Sequence, residues 1–289
     1  MTLRVTFLAE PGDPHDLAAL TARVSAATEV VASIDGDAPD LVVATGRHSA
    51  ARLPTFPDAR RAVLLMDMED RALPAGSAEA ADAAAVFTLP SAMLVPAGWM
   101  ADQLSQLRDP AAPAVRIVPP GLDHDVFAAS PVRDDTRQLR VLVLGAEGAE
   151  RDAALAAANA MREPALVRHL EPAAVAPEQR AEAYGEADVV LSLARVAGLP
   201  LAPLEAFACG ATAVATPVTG LDAYLVDGRN GLLASWDDER GTSRLLDLLA
   251  RDRDLLHTLR TAAFATARAW PSTSDAAAGL AAALTEVAA

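Results

Sequence analysis

Short apolar runs alternate with stretches of helical spacing along most of this 289-residue chain, and Pro119-Pro120-Gly121 interrupts the alternation. Uninterrupted apolar runs separated by helices specify parallel strands buried on both sheet faces, because a strand with one wet face alternates instead. Before the interruption the runs are Leu3–Leu8, Val30–Ile34, Leu41–Ala44, Ala62–Met66, Val86–Leu89 and Val115–Val118. Helical spacing covers Asp16–Thr28 and Gly98–Leu107. A polar, charged stretch, Ser130–Gln138, follows and marks the domain boundary. The pattern then restarts with strands predicted at Val141–Leu144, Ala165–His169, Val189–Leu193 and Thr212–Ala215, and a last run at Gly231–Ala234. Helices are predicted at Ala149–Met161, Pro177–Gly185 and Pro203–Cys209, near Leu221–Val226, and over Asp237–Ala250 and Arg253–Ala269, ahead of a final Ala-rich helix. The pattern predicts an α/β chain of two Rossmann-like, doubly wound domains facing a cleft, with ligands at the carboxyl ends of the strands.

Composition narrows the chemistry. The 24 basic residues are all Arg, so Schiff-base lysines, P-loop lysines and Ser–Lys dyads are excluded. A bound anion must be held by Arg, by backbone N–H groups or by a helix N-terminus. A net charge of −15 argues against nucleic acid and against anionic lipid as partners. One cysteine, Cys209, cannot close an internal disulfide, which points to a reducing cytoplasm. Met1 leads into the first strand without a signal pattern. The uncharged run Ala83–Ala101 contains Pro90 and Pro96, so it reads as strand, turn, strand, helix and not as a membrane span.

The most informative segment runs from Asp188 to Leu233. A strand ends at Leu193, a Gly/Pro-rich loop follows, and Pro203 opens a helix carrying Glu205. The loop and first-turn amides form an anion site, and Glu205, a turn further in, can accept hydrogen bonds from paired ribose hydroxyls. A simpler role, complementing the helix dipole, stays open. Gly198-Leu199-Pro200, Leu204-Glu205-Ala206, Ala208-Cys209-Gly210 and Asp227-Gly228-Arg229-Asn230-Gly231-Leu232-Leu233, in this order and spacing, resemble the nucleotide-sugar site of the family-4 retaining glycosyltransferases. Ile117-Val118-Pro119-Pro120-Gly121-Leu122-Asp123 resembles that family's interdomain signature, with Pro120 in place of the usual Asn.

The resemblance implies the GT-B fold: an acceptor-side domain at 1–128, a nucleotide-sugar domain at 129–272 and a crossover helix at 273–289 packing on the first. It implies a retaining hexosyltransferase of the EC 2.4 class, metal-independent and without a cofactor. Such an enzyme moves a sugar from a nucleoside-diphosphate sugar to a hydroxyl on a glycan or small molecule. The donor diphosphate would lie on the loop amides around Gly198-Leu199-Pro200-Leu201, with Gly145 opening the facing loop and Arg151 and Arg195 balancing charge. Arg229 sits in a sequence with the composition of a turn.

The departures from the family are specific. Of its two glutamates eight positions apart, Glu205 fills the second place and Ala197 stands in the first. Ala146 replaces a usual Arg, and Arg151 a usual Lys. The rhamnan-type rhamnosyltransferases also lack the first glutamate. They carry segments similar to Leu191-Ser192-Leu193 with Pro203-Leu204-Glu205, and to Leu65-Met66-Asp67-Met68-Glu69-Asp70, which suggests a deoxysugar donor such as dTDP-rhamnose.

On the acceptor side, Glu10 to Asp13, Gly46-Arg47-His48, Asp67 with Glu69, and Pro90-Ser91 follow strand ends. Asp67 and Glu69 alternate on a strand exit, so one could take the acceptor hydroxyl's proton; solvated loop acids are the alternative. Gly12 alone remains of the family's turn after the first strand. The five histidines, His15, His48, His124, His169 and His257, show no metal-ligand spacing. His124 stands beside the interdomain signature, Cys209 reads as a small core residue, and Trp270 packs where the chain turns back. A catalytically silent binding or scaffold subunit assisting a partner enzyme is the competing reading, favoured by Ala197 and Ala146. A homodimer or another protein partner stays open.

Overall fold

The Val-, Leu- and Ala-rich runs form two parallel sheets in the computed structural model, which describes residues 2–9, 17–27, 30–128 and 138–289. The loop Glu10 to Asp13, Gly12, His15 and most of Ser130–Gln138 lie outside the described residues. The chain divides into two units: unit 1 is Met1–Gly121 with Pro271–Ala289, and unit 2 is Leu122–Trp270. The division after Gly121 comes earlier than the predicted 128, because Leu122 and Phe127 are already buried in the apolar core of unit 2.

In unit 1 the strands are β1 (Leu3–Leu8), β2 (Val30–Ile34), β3 (Leu41–Ala44), β4 (Arg60–Leu64), β5 (Ala92–Val95) and β6 (Val115–Ile117). They pair in parallel in the order β2-β1-β3-β4-β5-β6. The helices are α1 (Leu17–Ala27), α2 (Arg47–Ala50), α3 (Ala78–Val86) and α4 (Gly98–Leu107), and α10 (Thr273–Ala288) at the far end of the chain. Val24 of α1 and Ala277, Leu280, Ala281 and Leu284 of α10 cover one sheet face, against Val5, Phe7, Leu41 and Leu94. Ala50, Val86, Met100 and Leu104 cover the other. Gly121 permits the return of the chain, since a Cβ there would lie 2.5 Å from the Ser272 carbonyl oxygen.

Two expectations fail here. Val86–Leu89 is not a strand: Val86 ends α3, whose N-cap Ser77 accepts a hydrogen bond from the Ala80 amide at 3.1 Å, and the fifth strand is Ala92–Val95. The apolar end of an Ala-rich helix imitates a short buried strand when read by composition alone. Nor do Asp67 and Glu69 alternate along a strand, because β4 ends at Leu64 and Glu69 opens a single 3₁₀ turn, Glu69–Ala72.

In unit 2 the strands are β7 (Leu139–Leu144), β8 (Ala165–Leu170), β9 (Val189–Ser192), β10 (Thr212–Ala215) and β11 (Leu232–Leu233), ordered β11-β10-β9-β7-β8. Helices α5 (Ala149–Asn159), α6 (Pro177–Glu186), α7 (Ala202–Ala208), α8 (Glu239–Arg251) and α9 (Arg253–Ala269) connect and cover them. The chain steps outward from β7 to β8, then crosses back to β9 and continues to β10. Right-handed crossovers in opposite directions place helices on opposite faces. Accordingly Ala154 of α5 packs with Leu246 of α8 on one face, and Tyr184 of α6 with Phe207 of α7 on the other. The direction reverses at β7, beside β9, so the loops after these two strands are where a ligand site is expected.

Candidate functional site

Glu205 lies at the fourth position of α7, directly after the loop that leaves β9. Its side chain is 11% exposed, and its carboxylate is gripped by the guanidinium of Arg180 from α6. Arg180 Nε donates to Oε2 at 3.1 Å and Nη2 to Oε1 at 3.0 Å, a two-point, charge-assisted pair. Arg180 is itself fixed. Its Nη1 donates to the carbonyls of Val175 at 3.3 Å and Pro172 at 3.5 Å, and its guanidinium lies over the Phe127 ring, 5.5 Å from the centroid. The α6–β9–α7 crossovers run in one direction and so bring these two helices side by side.

Aromatic groups close the surroundings of this pair. Tyr184, one turn after Arg180, is fully buried, and its hydroxyl is raised by burial foremost and by the Glu205 carboxylate next. The Tyr224 hydroxyl is pushed up in the same order. It donates to the carbonyl of Pro200 and so ties the Gly198–Leu201 loop to the core. The Tyr224 ring meets Phe207 and Trp270 edge-on, at 5.9 and 6.0 Å. Trp270 thus packs where the chain leaves unit 2. Burial, then Glu205, raises the Cys209 thiol to about 12, so Cys209 is a protonated core residue.

The predicted phosphate ligands lie at the carboxyl ends of β7 and β9. Gly145 and Gly148 have φ of +140° and +150°, a region that favours glycine, and they bracket the turn into α5. The Gly145 carbonyl accepts from His169 Nε2 at 2.7 Å. Arg151, in the first turn of α5, is not free: Asp152 Oδ1 accepts from its Nη2 at 2.8 Å and its Nε at 3.0 Å, and Glu147 lies 3.4 Å from Nη1. Asp152 is the main cause of the raised Arg151 guanidinium. Arg195, after β9, pairs with Asp237, and its amide donates to Glu150 Oε1 at 2.9 Å. The expected charge-balancing arginines are therefore already balanced by carboxylates of unit 2.

In unit 1 Glu69 is paired with Arg47 Nη1 at 2.5 Å, and Asp67 Oδ1 accepts the Met68 amide at 2.7 Å. His124 Nε2 and the Trp270 carbonyl are 3.1 Å apart, a contact within unit 2. The Asp227–Gly231 segment is a structural turn. Gly228 has φ of +70°, Asp227 accepts from the Leu233 amide, and Asn230 is buried among three partners. Among the described residues no cluster of three His, Cys, Asp or Glu could hold a metal ion, and no helix is long and apolar enough to cross a membrane. Arg180 is the site residue that sequence reasoning misses. It stands 25 positions from Glu205, a distance at which only the crossover topology predicts contact.

Residues 116–251 match the family described as Glycosyl transferases group 1. A D-inositol 3-phosphate glycosyltransferase of Nocardia farcinica is 32% identical over 149 residues, which is 50% of this chain and 33% of that protein. The enzyme of the same name from Corynebacterium urealyticum is 34% identical over 120 residues, 40% of this chain and 28% of its own. The chain thus spans about a third of the length of the curated relatives it matches. Among solved structures, sucrose-phosphate synthase from Thermosynechococcus elongatus superimposes with a TM-score of 0.80 at 14% identity, covering 98% of both chains. Anabaena Alr3699/HepE in complex with UDP and glucose gives 0.77 at 12% identity, covering 98% of this chain and 100% of that one. The two parallel-sheet α/β units match these GT-B neighbours.

Proposed function

We propose that this chain, which carries the group 1 glycosyltransferase segment over residues 116–251, transfers a sugar from a nucleoside-diphosphate sugar to a hydroxyl acceptor. The observation that carries the reading is Glu205. It is a carboxylate with residual exposure, fixed by Arg180 at the start of α7 and placed after the β9 loop where a doubly wound sheet binds nucleotides. Glu205 accepts the ribose hydroxyls. The amides of Gly198, Leu199 and Leu201 and of the Gly145–Gly148 turn face the diphosphate, and Arg151 and Arg195 exchange Asp152 and Asp237 for phosphate oxygens as the donor arrives. The same contacts strengthen as negative charge grows on the departing diphosphate, which is where preorganised donors accelerate transfer.

Retention of configuration and independence from metal are part of this proposal and rest on the family resemblance. Unit 1 is proposed to take the acceptor, with Asp67 and Glu69 after β4 as its carboxylates. The names of the curated relatives recommend inositol phosphates for an acceptor panel, beside glycans. The deoxysugar donor rests on Ala197 in place of the first glutamate; UDP-hexoses are recommended by the HepE complex.

A second reading, a nucleotide-sugar-binding subunit without turnover, is favoured by one observation: Arg151, Arg195 and Glu69 are each paired within the chain. Acceptor-dependent release of nucleoside diphosphate from UDP- and dTDP-sugars separates the two. Release that rises with acceptor establishes transfer, with the product anomer read by NMR. Tight binding without release in the presence of any acceptor establishes the subunit.

A further inference from the structure

We propose that unit 2 holds a further ligand site, a carbohydrate subsite in which the Trp236 indole is the platform for a hexopyranose ring. The site is a cavity of about 90 Å³ between the first turns of α5 and α8, at the carboxyl ends of β9 and β10, with Trp236 following β11. Those two helices cover one face of the sheet; α6 and α7, which carry Arg180 and Glu205, cover the other. The subsite therefore stands apart from the nucleotide reading.

Trp236 is 45% exposed, yet it is anchored. Its Nε1 donates to the Ala194 carbonyl at 3.4 Å, and that carbonyl also accepts from the buried Thr216 hydroxyl. With its one polar atom engaged, the indole offers a ligand its ring carbons. The walls beside it are polar, formed by Arg195, Glu150, Asp237, Asp238 and Glu239. A flat apolar surface next to acceptors and a donor suits a pyranose, which has a face of C–H groups and a rim of hydroxyls. The cavity has room for roughly three waters. The hydroxyls along one ring edge can take over the hydrogen bonds such waters make.

The charges favour a neutral polyhydroxyl ligand over a cation. Asp237 is paired with Arg195, and Asp238 Oδ1 accepts the Gly241 amide at 2.8 Å. Glu150 Oε1 accepts the Arg195 amide at 2.9 Å. Glu150 and Glu239 stand in the first turns of α5 and α8, where the helix dipole compensates an acid. A carboxylate with one bond made keeps lone pairs for a hydroxyl, and these acids do not converge on a point. Among the described residues no three of them form a group that could hold a metal ion.

The test is titration of the full chain with D-glucose and maltotriose, with mannitol as the open-chain control and spermidine as the cationic one. The chain has Trp99, Trp236 and Trp270, so Trp236 is read by its own indole N–H signal in NMR, assigned with W236F. Both sugars are expected to shift the Trp236 signal in the millimolar range and to leave the other two in place. W236L keeps apolar bulk but has no flat face, and its affinity in calorimetry falls at least about tenfold, whereas W236F stays within about threefold of the wild type. Thermal melting checks folding, and the wild-type indole shift carries the test if W236L is unfolded. A merely structural tryptophan would lower the melting temperature of W236L and leave sugar affinity intact. That outcome, no Trp236 shift with either sugar, or an equal shift with mannitol or spermidine overturns the inference, whether or not UDP binds. Sugar binding in a chain that binds no UDP would remove the nucleotide reading alone.

Discussion

Two buried carboxylates of unit 2, Asp188 and Glu205, are paired with arginine, yet their surroundings assign them different tasks. Asp188 is 1% exposed and saturated. Arg140 donates from Nη2 at 2.7 Å and from its amide at 2.9 Å, and Arg260 from Nη1 at 3.2 Å. Arg260 also donates to the Gly210 carbonyl at 2.7 Å, so the network joins β7, β9 and α9 with nothing left for a ligand. Asp188→Asn leaves the buried Arg260 and the half-buried Arg140 short of an anion, and a loss of about 3–5 kcal/mol is expected in urea unfolding. A loss under about 1 kcal/mol would mean the network is not structural. Glu205 has one arginine and keeps some exposure, as the proposed ligand role requires. The neighbouring thiol gives a second test. Its folded value of about 12 stands above the ordinary 9.0, so the folded state holds this proton more tightly. The stability this contributes is intact below about 9 and is lost as pH rises toward 12. At pH 8, Cys209 should resist a disulfide reagent in native buffer and react at once in denaturant; ready native labelling would contradict its burial.

Elements were legible wherever the pattern was long and local. The Val141–Leu144, Val189–Leu191 and Ala213–Ala215 runs inside β7, β9 and β10 are apolar and buried. The α5, α6 and α9 stretches carry their own caps or breakers in sequence, such as Pro177 and Asp252. What failed was short or Ala-rich. The Val86 end of α3 reads as a strand because alanine carries no periodicity, and the strand-like exit at Asp67 leads into the 3₁₀ turn Glu69–Ala72, whose Glu69 pairs with the sequence-distant Arg47. The candidate site divided in the same way. Glu205 and its loop follow from one contiguous segment, whereas Arg180, Phe127 and Tyr224 converge on it from separate elements. The turn after α7 and β10 offers an element-scale prediction. Asn230 accepts from the Val226 amide at 2.8 Å and donates to the Tyr224 carbonyl at 2.7 Å and to Thr266 Oγ1 at 2.9 Å. Asn230→Ala strands these buried partners and should cost about 2–3 kcal/mol, seen as a melting temperature lowered by several degrees. An unchanged melting point would show the turn to be held by other means.

Across the whole molecule, unit 1 is discontinuous in sequence and unit 2 is continuous. Helix α10 supplies Ala277, Leu280, Ala281 and Leu284 to the core of unit 1, so removal of residues 272–289 opens one face of the β2-β1-β3-β4-β5-β6 sheet. Amide exchange should then accelerate in β1, β3 and β4 and stay slow in β7, β9 and β10. Unchanged protection in β1 would contradict the role given to α10. The charge balance works at this scale too. With −15 overall and no lysine, Arg151 and Arg195 are already neutralised by the chain's own acids, so the proposed function requires an anionic donor to bind by exchange of carboxylate for phosphate.

The central claim is that unit 2 binds a nucleoside diphosphate through Glu205, and titration of UDP into the full chain and its Glu205→Gln variant tests it most directly. The wild type should bind, and the variant, folded as judged by melting, should lose about 1–3 kcal/mol, a roughly five- to hundredfold weaker Kd. Equal Kd values in the two proteins would contradict it.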